Sequence, residues 1–140
     1  MNLLVKIIVI ILISFLSFQA EAQGKFTITV KVEHANSNDG KMFVALYNTE
    51  SGFLEKSYKG EISGIANKSC TVLFKDIPEG VYAVSLFHDE NDNGKIDTNF
   101  FGIPKEDYGC SNGATGFMGP PKWEDAKFQL TKNKSITISL

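Results

Sequence analysis

Phe26-Thr27-Ile28-Thr29-Val30-Lys31-Val32 alternates apolar and polar residues without a break. A period of two places Phe26, Ile28, Val30 and Val32 on one face of an extended chain, the pattern of a half-buried strand. Asn36 to Gly40 is a turn cluster, and Met42 to Tyr47 follows as a second strand. That strand is apolar at both parities, which predicts a central position covered on both faces. Thr49 to Gly52 breaks it, and Phe53-Leu54 suggests a short helical turn tucked under the sheet. Tyr58 to Ile65, interrupted by glycines, reads as a third strand and Cys70 to Phe74 as a fourth. Asp76-Ile77-Pro78-Glu79-Gly80 predicts a tight turn, with Pro and Gly as punctuation. Val81 to His88 alternates again as a fifth strand.

The pattern then stops. From Asp89 to Pro121 there is no period, and a structureless connection of about 30 residues is long for a compact domain. The stretch still carries Phe100, Phe101, Ile103, Tyr108, Phe117 and Met118. That apolar content predicts an ordered excursion packed on the domain, not a free tail. Ala126 to Leu130 and Ser135 to Leu140 close the chain as two more strands around a Lys132-Asn133-Lys134 turn. About seven short strands predict an all-β fold: one antiparallel Ig-like or prealbumin-like β-sandwich with a long loop excursion.

The N-terminus changes the domain boundaries. Lys6 precedes an apolar run from Ile7 to Phe18, and Ala20-Glu21-Ala22 is a small-x-small cleavage pattern. The run is short for a membrane span and fits an export signal over residues 1–22. An uncleaved anchor is the competing reading, since Leu3 to Val5 lengthen the run. No Cys follows the run, which argues against a lipoprotein anchor. Residues 23–140 are left as one domain of about 118 residues, enough for one core and too few for two. The expected location is periplasmic or secreted, without stable membrane insertion once the signal is cleaved. An envelope or extracellular partner follows from that location.

Net charge is −2 and every basic residue is Lys. Without the bidentate Arg fork or a basic patch, nothing favours nucleic acid. Cys70 and Cys110 are free to pair in an oxidising compartment. A bridge would close a loop of about 40 residues and contribute about 4 kcal/mol. Two separate thiols remain the alternative, because sequence gives no Cα separation.

The strongest candidate chemistry is Asp89-Glu90-Asn91-Asp92-Asn93-Gly94-Lys95-Ile96-Asp97. Oxygen-bearing side chains fall at positions 1, 3, 5 and 9, Gly at 6 and an aliphatic residue at 8, as in a D-x-[DN]-x-[DN]-G calcium loop. Calcium is a hard cation that takes six to eight oxygens. Asp89, Asn91 and Asn93 offer side-chain oxygens, Lys95 its carbonyl, and Asp97 a direct or water-mediated contact. Gly94 permits the sharp turn and Ile96 is expected to anchor the loop to the core. Position 12, where an EF-hand has a bidentate Glu, is Phe100. Glu106 or Asp107 would have to reach back, or water fill the gap. A strand, not a helix, precedes the loop, so this is no EF-hand. Few charged ligands imply weak affinity, roughly 10⁻⁴ to 10⁻³ M. The plainer reading is a solvated turn, since Asp, Asn and Gly are also ordinary turn residues.

Enzyme readings are weaker. Gly109-Cys110-Ser111-Asn112-Gly113 matches G-x-S-x-G, but that motif marks a nucleophile only on a strand-to-helix elbow. A hydrolase using Ser111 or Cys110 with His88 is the least favoured alternative. Gly119-Pro120-Pro121 with Trp123 reads as a rigid turn whose aromatic packs on the core.

One resemblance is specific. Pro78-Glu79-Gly80-Val81-Tyr82-Ala83-Val84 followed by Phe87 to Asp97 resembles a family of exported bacterial proteins, known as a domain of unknown function (number 2141). The likeness continues through Asn99 to Glu106, Tyr108-Gly109, Ser111-Asn112 and Gly119-Pro120-Pro121, and ends at Glu124-Asp125-Ala126. It covers essentially all of the chain after the leader and implies an exported β-domain with no established activity. Cys70 and Cys110 depart from the family pattern, which puts a family-wide disulfide in doubt. The Pro-x-Gly-x-Tyr segment with its D-x-N-x-N-G loop is also similar to carboxypeptidase-regulatory-like and Cna-B-like sandwiches. In some adhesin repeats of that kind a comparable loop holds calcium. That likeness is at the level of fold and says little about function.

The expectation is therefore an exported, non-enzymatic sandwich holding Ca²⁺ through Asp89, Asn91, Asn93, Lys95 and Asp97. The leading alternative is a binding or adhesion module for a glycan, protein or envelope component, with Phe100, Phe101, Tyr108, Phe117 or Trp123 as contacts.

Overall fold

The alternation of the first strand is realised as β1 (Lys25–Glu33), whose Ile28, Val30 and Val32 are completely buried. The computed structural model describes residues 2, 3, 6, 7 and 24–140. But for those first four, the expected signal segment 1–22 lies outside the described residues. Seven further strands follow: β2 (Lys41–Tyr47), β3 (Lys59–Ser63), β4 (Cys70–Pro78), β5 (Gly80–Asp89), β6 (Tyr108–Cys110), β7 (Phe128–Leu130) and β8 (Lys134–Ser139). A 3-10 turn spans Ser111–Gly113, and one helical turn, α1, spans Trp123–Ala126.

Two sheets face each other. One has three strands in the order β4-β1-β8; the other has five, with β3-β2-β5-β6 in line and β7 also on β5. Alternate residues of β1, β2, β4 and β5 point into the space between them. There Ile28, Val30, Met42, Val44, Leu46, Phe74, Val84 and Leu86 form the main core with Leu130 and Ile138. The fold is the all-β sandwich that the periodicity predicts, and β2 is central as its two-sided apolarity requires.

Four details differ from the sequence pattern. The pairs are antiparallel except β1–β8, which is parallel from Ile28↔Lys134 to Glu33↔Ser139. The first and last strands thus lie side by side, and the rest of the sandwich serves as their crossover. The Lys132-Asn133-Lys134 turn, expected only to join two strands, carries the chain from one sheet to the other, because β7 joins β5 while β8 joins β1. The short helical turn expected at Phe53-Leu54 is a hydrogen-bonded turn, with Phe53 N–H donating to the Glu50 carbonyl at 3.1 Å, and Leu54 at φ 62° leaves the helical conformation. The tight turn expected over Asp76–Gly80 is mostly strand. Asp76, at φ 57°, is the extra residue of a β-bulge between the pairs Phe26↔Ile77 and Ile28↔Phe74. The chain reverses only at Pro78-Glu79-Gly80, where it passes from one sheet to the other. Tyr82 ties that corner by donating its phenol to the Pro78 carbonyl at 2.8 Å.

The outward face of the five-stranded sheet carries a second, smaller cluster. Tyr47, Phe53, Ala83, Cys110, Ala114, Trp123 and Ala126 pack there. Trp123 stacks edge-on against Phe53 at 5.8 Å, as the rigid Gly-Pro-Pro turn predicts. Register lines up Ile62, Phe43, Phe87 and Tyr108 across four strands on this face. Phe43 and Phe87 stack at 5.0 Å. Beside this row Ala45 and Ser85 floor a shallow trough of about 160 Å³.

The partition by parity settles the cysteines. Both are free. Cys70 follows the inward parity of Val72 and Phe74 and packs on the main core, whereas Cys110, opposite Ser85, belongs to the outer cluster. The five-stranded sheet stands between the two thiols. Burial pushes Cys110 up to about 11 and also raises Cys70, so both stay protonated near neutral pH.

Ser111 closes the outer edge of β5. β6 covers Ser85 to Phe87 and β7 covers Gly80 to Tyr82, which leaves Val84 between them. The completely buried Ser111 hydroxyl accepts from Val84 N–H at 2.9 Å and donates to the Ala126 carbonyl at 2.6 Å. Replacing Ser111 by Ala strands a buried donor and a buried acceptor together. It should cost about 2–3 kcal/mol, read as a lower urea midpoint at an unchanged slope. Non-reducing electrophoresis and thiol titration should find two free thiols per unfolded chain, with Cys110 unreactive until the protein unfolds.

Candidate functional site

Asp89 is the last residue of β5 and is completely buried, opposite Lys41 in the register. Gly40 lies directly against it: a Cβ there would sit 1.8 Å from the Asp89 carbonyl oxygen, and Gly40 has φ +66°. A side chain at position 40 is therefore excluded by space and by backbone conformation together. Beyond Asp89 the chain leaves the sheet and wraps around that residue's carboxylate. Asn93 N–H donates to Oδ1 at 3.1 Å and Gly94 N–H to Oδ2 at 2.8 Å. Gly94 supplies the turn at φ +80°.

The other ligand-type residues gather on Asp97. Asn91 Nδ2 donates to Asp97 Oδ2 at 2.6 Å and Asn93 Nδ2 to Oδ1 at 2.8 Å. The amide oxygens of both asparagines face the loop backbone, at Asn93 N–H and Lys95 N–H respectively. These hydrogen bonds, Asn93 first and Asn91 second, hold the Asp97 carboxyl below its ordinary value, and Lys95 and Lys105 add to the effect. Three of the five predicted ligand residues, Asn91, Asn93 and Asp97, are thus joined through their side chains, and a fourth, Asp89, meets Asn93 through that residue's backbone N–H. The fifth, Lys95, enters through its backbone N–H.

Glu106 reaches back to the loop backbone. Its Oε2 accepts Asp97 N–H at 3.0 Å, while its Oε1 is buried without a hydrogen-bond partner. Asp107 does something else: it accepts from Asn36 Nδ2, and so joins the 36–40 turn to the excursion. Ser37 Oγ donates to Glu90 at 3.0 Å in the same way, and Lys41 pairs with Asp92 at 3.2 Å. These supports were not visible as motifs. Their signal is the β2–β5 register, which sets the 36–40 turn beside the loop.

Ile96 differs from expectation. It is 36 % exposed, because the loop projects past the end of the sheet, where there is no core to anchor it. Among the described residues, no group of three or more His, Cys, Asp or Glu side chains is placed to hold a metal ion. The loop's own candidate set is two carboxylates, two amides and a carbonyl.

The hydrolase residues are occupied separately. The hydrogen bonds of the Ser111 hydroxyl go to Val84 and Ala126. His88 is buried, with Nε2 hydrogen-bonded to the Asp39 carbonyl at 2.8 Å and Nδ1 left 3.9 Å from Glu90. Because a carbonyl only accepts, Nε2 carries the proton. No hydrogen bond joins His88 to Ser111 or Cys110. A cleft of about 590 Å³ is lined by residues of the 48–58 turn and none of the loop.

A family model described as "Uncharacterized protein conserved in bacteria (DUF2141)" matches residues 30–139. The chain belongs to that family. No curated protein and no solved structure shows a significant match. Within this DUF2141 chain, the Pro-x-Gly-x-Tyr segment is the inter-sheet corner tied by Tyr82, and the D-x-N-x-N-G segment is the loop closed on Asp89 and Asp97.

The depressed Asp97 value has a defined sign. A carboxyl whose folded value lies below its unfolded one stabilises the fold above the unfolded value and loses that contribution as pH falls through the folded one. Asn91→Ala and Asn93→Ala should each move the Asp97 midpoint upward, Asn93→Ala more, in a carboxyl-carbon NMR titration.

Proposed function

We propose that this protein is an exported, non-enzymatic β-sandwich whose 89–97 loop binds calcium and thereby fixes the excursion that follows β5. The observation that carries this reading is Glu106: one of its carboxylate oxygens holds the Asp97 peptide, and the other is buried with no donor. A buried carboxylate oxygen needs a partner, and a bound cation would supply one. The residues around it fit a hard cation. Asp89 and Asp97 bring charge, and Asn91 and Asn93 stand within 2.8 Å of Asp97 through their amides. Rotating each amide turns its oxygen toward the carboxylates, which is the change a cation would drive. Asp89, Asn91, Asn93, the Lys95 carbonyl and Asp97 would hold the ion, with Glu106 in place of the absent twelfth-position Glu. The ion supplies charge neutralisation and no reaction step. Export to the periplasm or beyond rests on the sequence of residues 1–22.

A second reading has its own observation. Phe100, Phe101, Phe117 and Met118 are more than 80 % exposed, which favours a binding module over a purely structural domain. Trp123, 9 % exposed, is not part of that surface.

Thermal unfolding of the protein recovered after export, in chelator and then in excess calcium, tests the first reading. With a dissociation constant of about 10⁻⁴ to 10⁻³ M, 10 mM calcium should add about 1.4–2.7 kcal/mol. That is a rise of about 5–10 °C. Magnesium should produce little, since it demands tighter octahedral geometry. Asp97→Ala and Glu106→Gln should each remove most of the rise; an equal rise in both variants, or none in the parent, sinks the proposal.

A further inference from the structure

The segment between Asp97 and Lys105 is a small hairpin that nothing in the core explains. Thr98 bridges Pro104, and Lys105 N–H donates to the Asp97 carbonyl at 2.8 Å. At the tip, Asn99 N–H donates to the Ile103 carbonyl and Gly102 N–H to the Asn99 carbonyl, at 2.8 and 3.0 Å. The Asn99 side-chain oxygen accepts from both Phe101 N–H and Ile103 N–H, at 2.9 and 3.0 Å. This ordered turn holds Phe100 and Phe101 with their rings edge-to-face at 5.5 Å. They are 97 % and 82 % exposed, with Ile103 behind them at 58 %.

Such an arrangement is expensive in water. Two phenyl side chains are kept out of the core by a turn in which four backbone N–H groups are paired internally. The same features suit a medium of low polarity. A tip that leaves the N–H groups of Asn99, Phe101, Gly102 and Ile103 paired internally can enter the headgroup region without stranding them. Lys95 and Lys105 are exposed at the base of the hairpin, close enough to act on Asp97. Their ammonium groups can reach lipid phosphates while the phenyl rings go deeper. Among the described residues, no helix is long and apolar enough to cross a membrane. The carboxylates of Asp89, Glu90, Asp92, Asp97, Glu106 and Asp107 oppose an anionic surface, and a bound divalent cation would lessen that opposition.

We propose that the Phe100–Phe101 tip docks on an anionic phospholipid surface, with Lys95 and Lys105 meeting the phosphates. The calcium dependence of this docking rests on the calcium reading above; the contact of the tip with lipid does not. A protein groove is the competing occupant. It offers no reason for two exposed lysines at the base of an internally hydrogen-bonded aromatic turn.

The test is sedimentation of the exported protein with vesicles of phosphatidylcholine mixed with phosphatidylglycerol, in calcium and in chelator. Phe100→Ser with Phe101→Ser should weaken binding by about tenfold or more, at an unchanged thermal midpoint because both side chains are exposed. Vesicles of phosphatidylcholine alone should bind less, and added salt should weaken the mixed-vesicle binding. No sedimentation of the parent, or equal sedimentation of the double variant, overturns the inference. If the calcium-induced thermal rise persists in that case, the calcium reading stands alone. Binding that is equal in calcium and chelator, without any thermal rise, leaves the lipid contact standing and removes the calcium reading.

Discussion

Every backbone N–H and C=O of β5 has to find a partner once the strand lies between two apolar clusters, because an unpaired group there costs as much as a lost hydrogen bond. β2 satisfies one edge from Ala83 to Asp89. The other edge is satisfied in pieces: β7 at one end, β6 at the other, and the Ser111 hydroxyl between them. That requirement draws the long chain after Asp89 back onto the sheet twice. It brings Cys110 and Trp123 onto the outer face and fixes where the excursion must begin and end.

The excursion itself is ordered by a different force. Away from the ends that touch the sheet, its large apolar side chains are mostly exposed. Its order comes from polar groups: backbone N–H on Asp89, amides on Asp97, Glu106 on the Asp97 peptide and Asn99 on its own turn. Hydrogen bonds to charged groups are stronger than neutral ones. They specify direction where hydrophobic contact does not, and a segment held by them can present apolar side chains to solvent without collapsing on them. The inverse distribution, apolar inside and polar outside, holds for the sandwich and is reversed at the tip of the excursion.

The two polar residues that a motif search would single out for catalysis are used in the scaffold. Ser111 replaces a missing ladder residue, and His88 ties β5 to the Asp39 carbonyl at the 36–40 turn. Both positions are completely buried. The residues that meet solvent and neighbouring charge are instead the asparagines, Asp97, the lysines and the phenyl rings of the loop and hairpin.

Much of this was legible along the chain. Period-two alternation gave β1 and β5 nearly to the residue, because one buried face imposes it. The spacing of Asp89, Asn91, Asn93, Gly94 and Asp97 gave a closed loop, because local hydrogen bonding obeys local spacing. β6 was hidden: three residues with Gly109 at the centre carry no period, and they become a strand only because β5 offers an unpaired edge. The parallel β1–β8 pair and the sheet change after β7 were equally invisible, since they join residues far apart in the chain and leave no local mark. By itself, then, the sequence determined the sandwich, its main core and the loop's side-chain set. Only tertiary structure decided that the two thiols lie on opposite sides of a sheet, that Ser111 belongs to a ladder, that Ile96 has no core beneath it and that Glu106 stands at the Asp97 peptide. Those outcomes depend on which backbone edges remain unpaired after the local elements form.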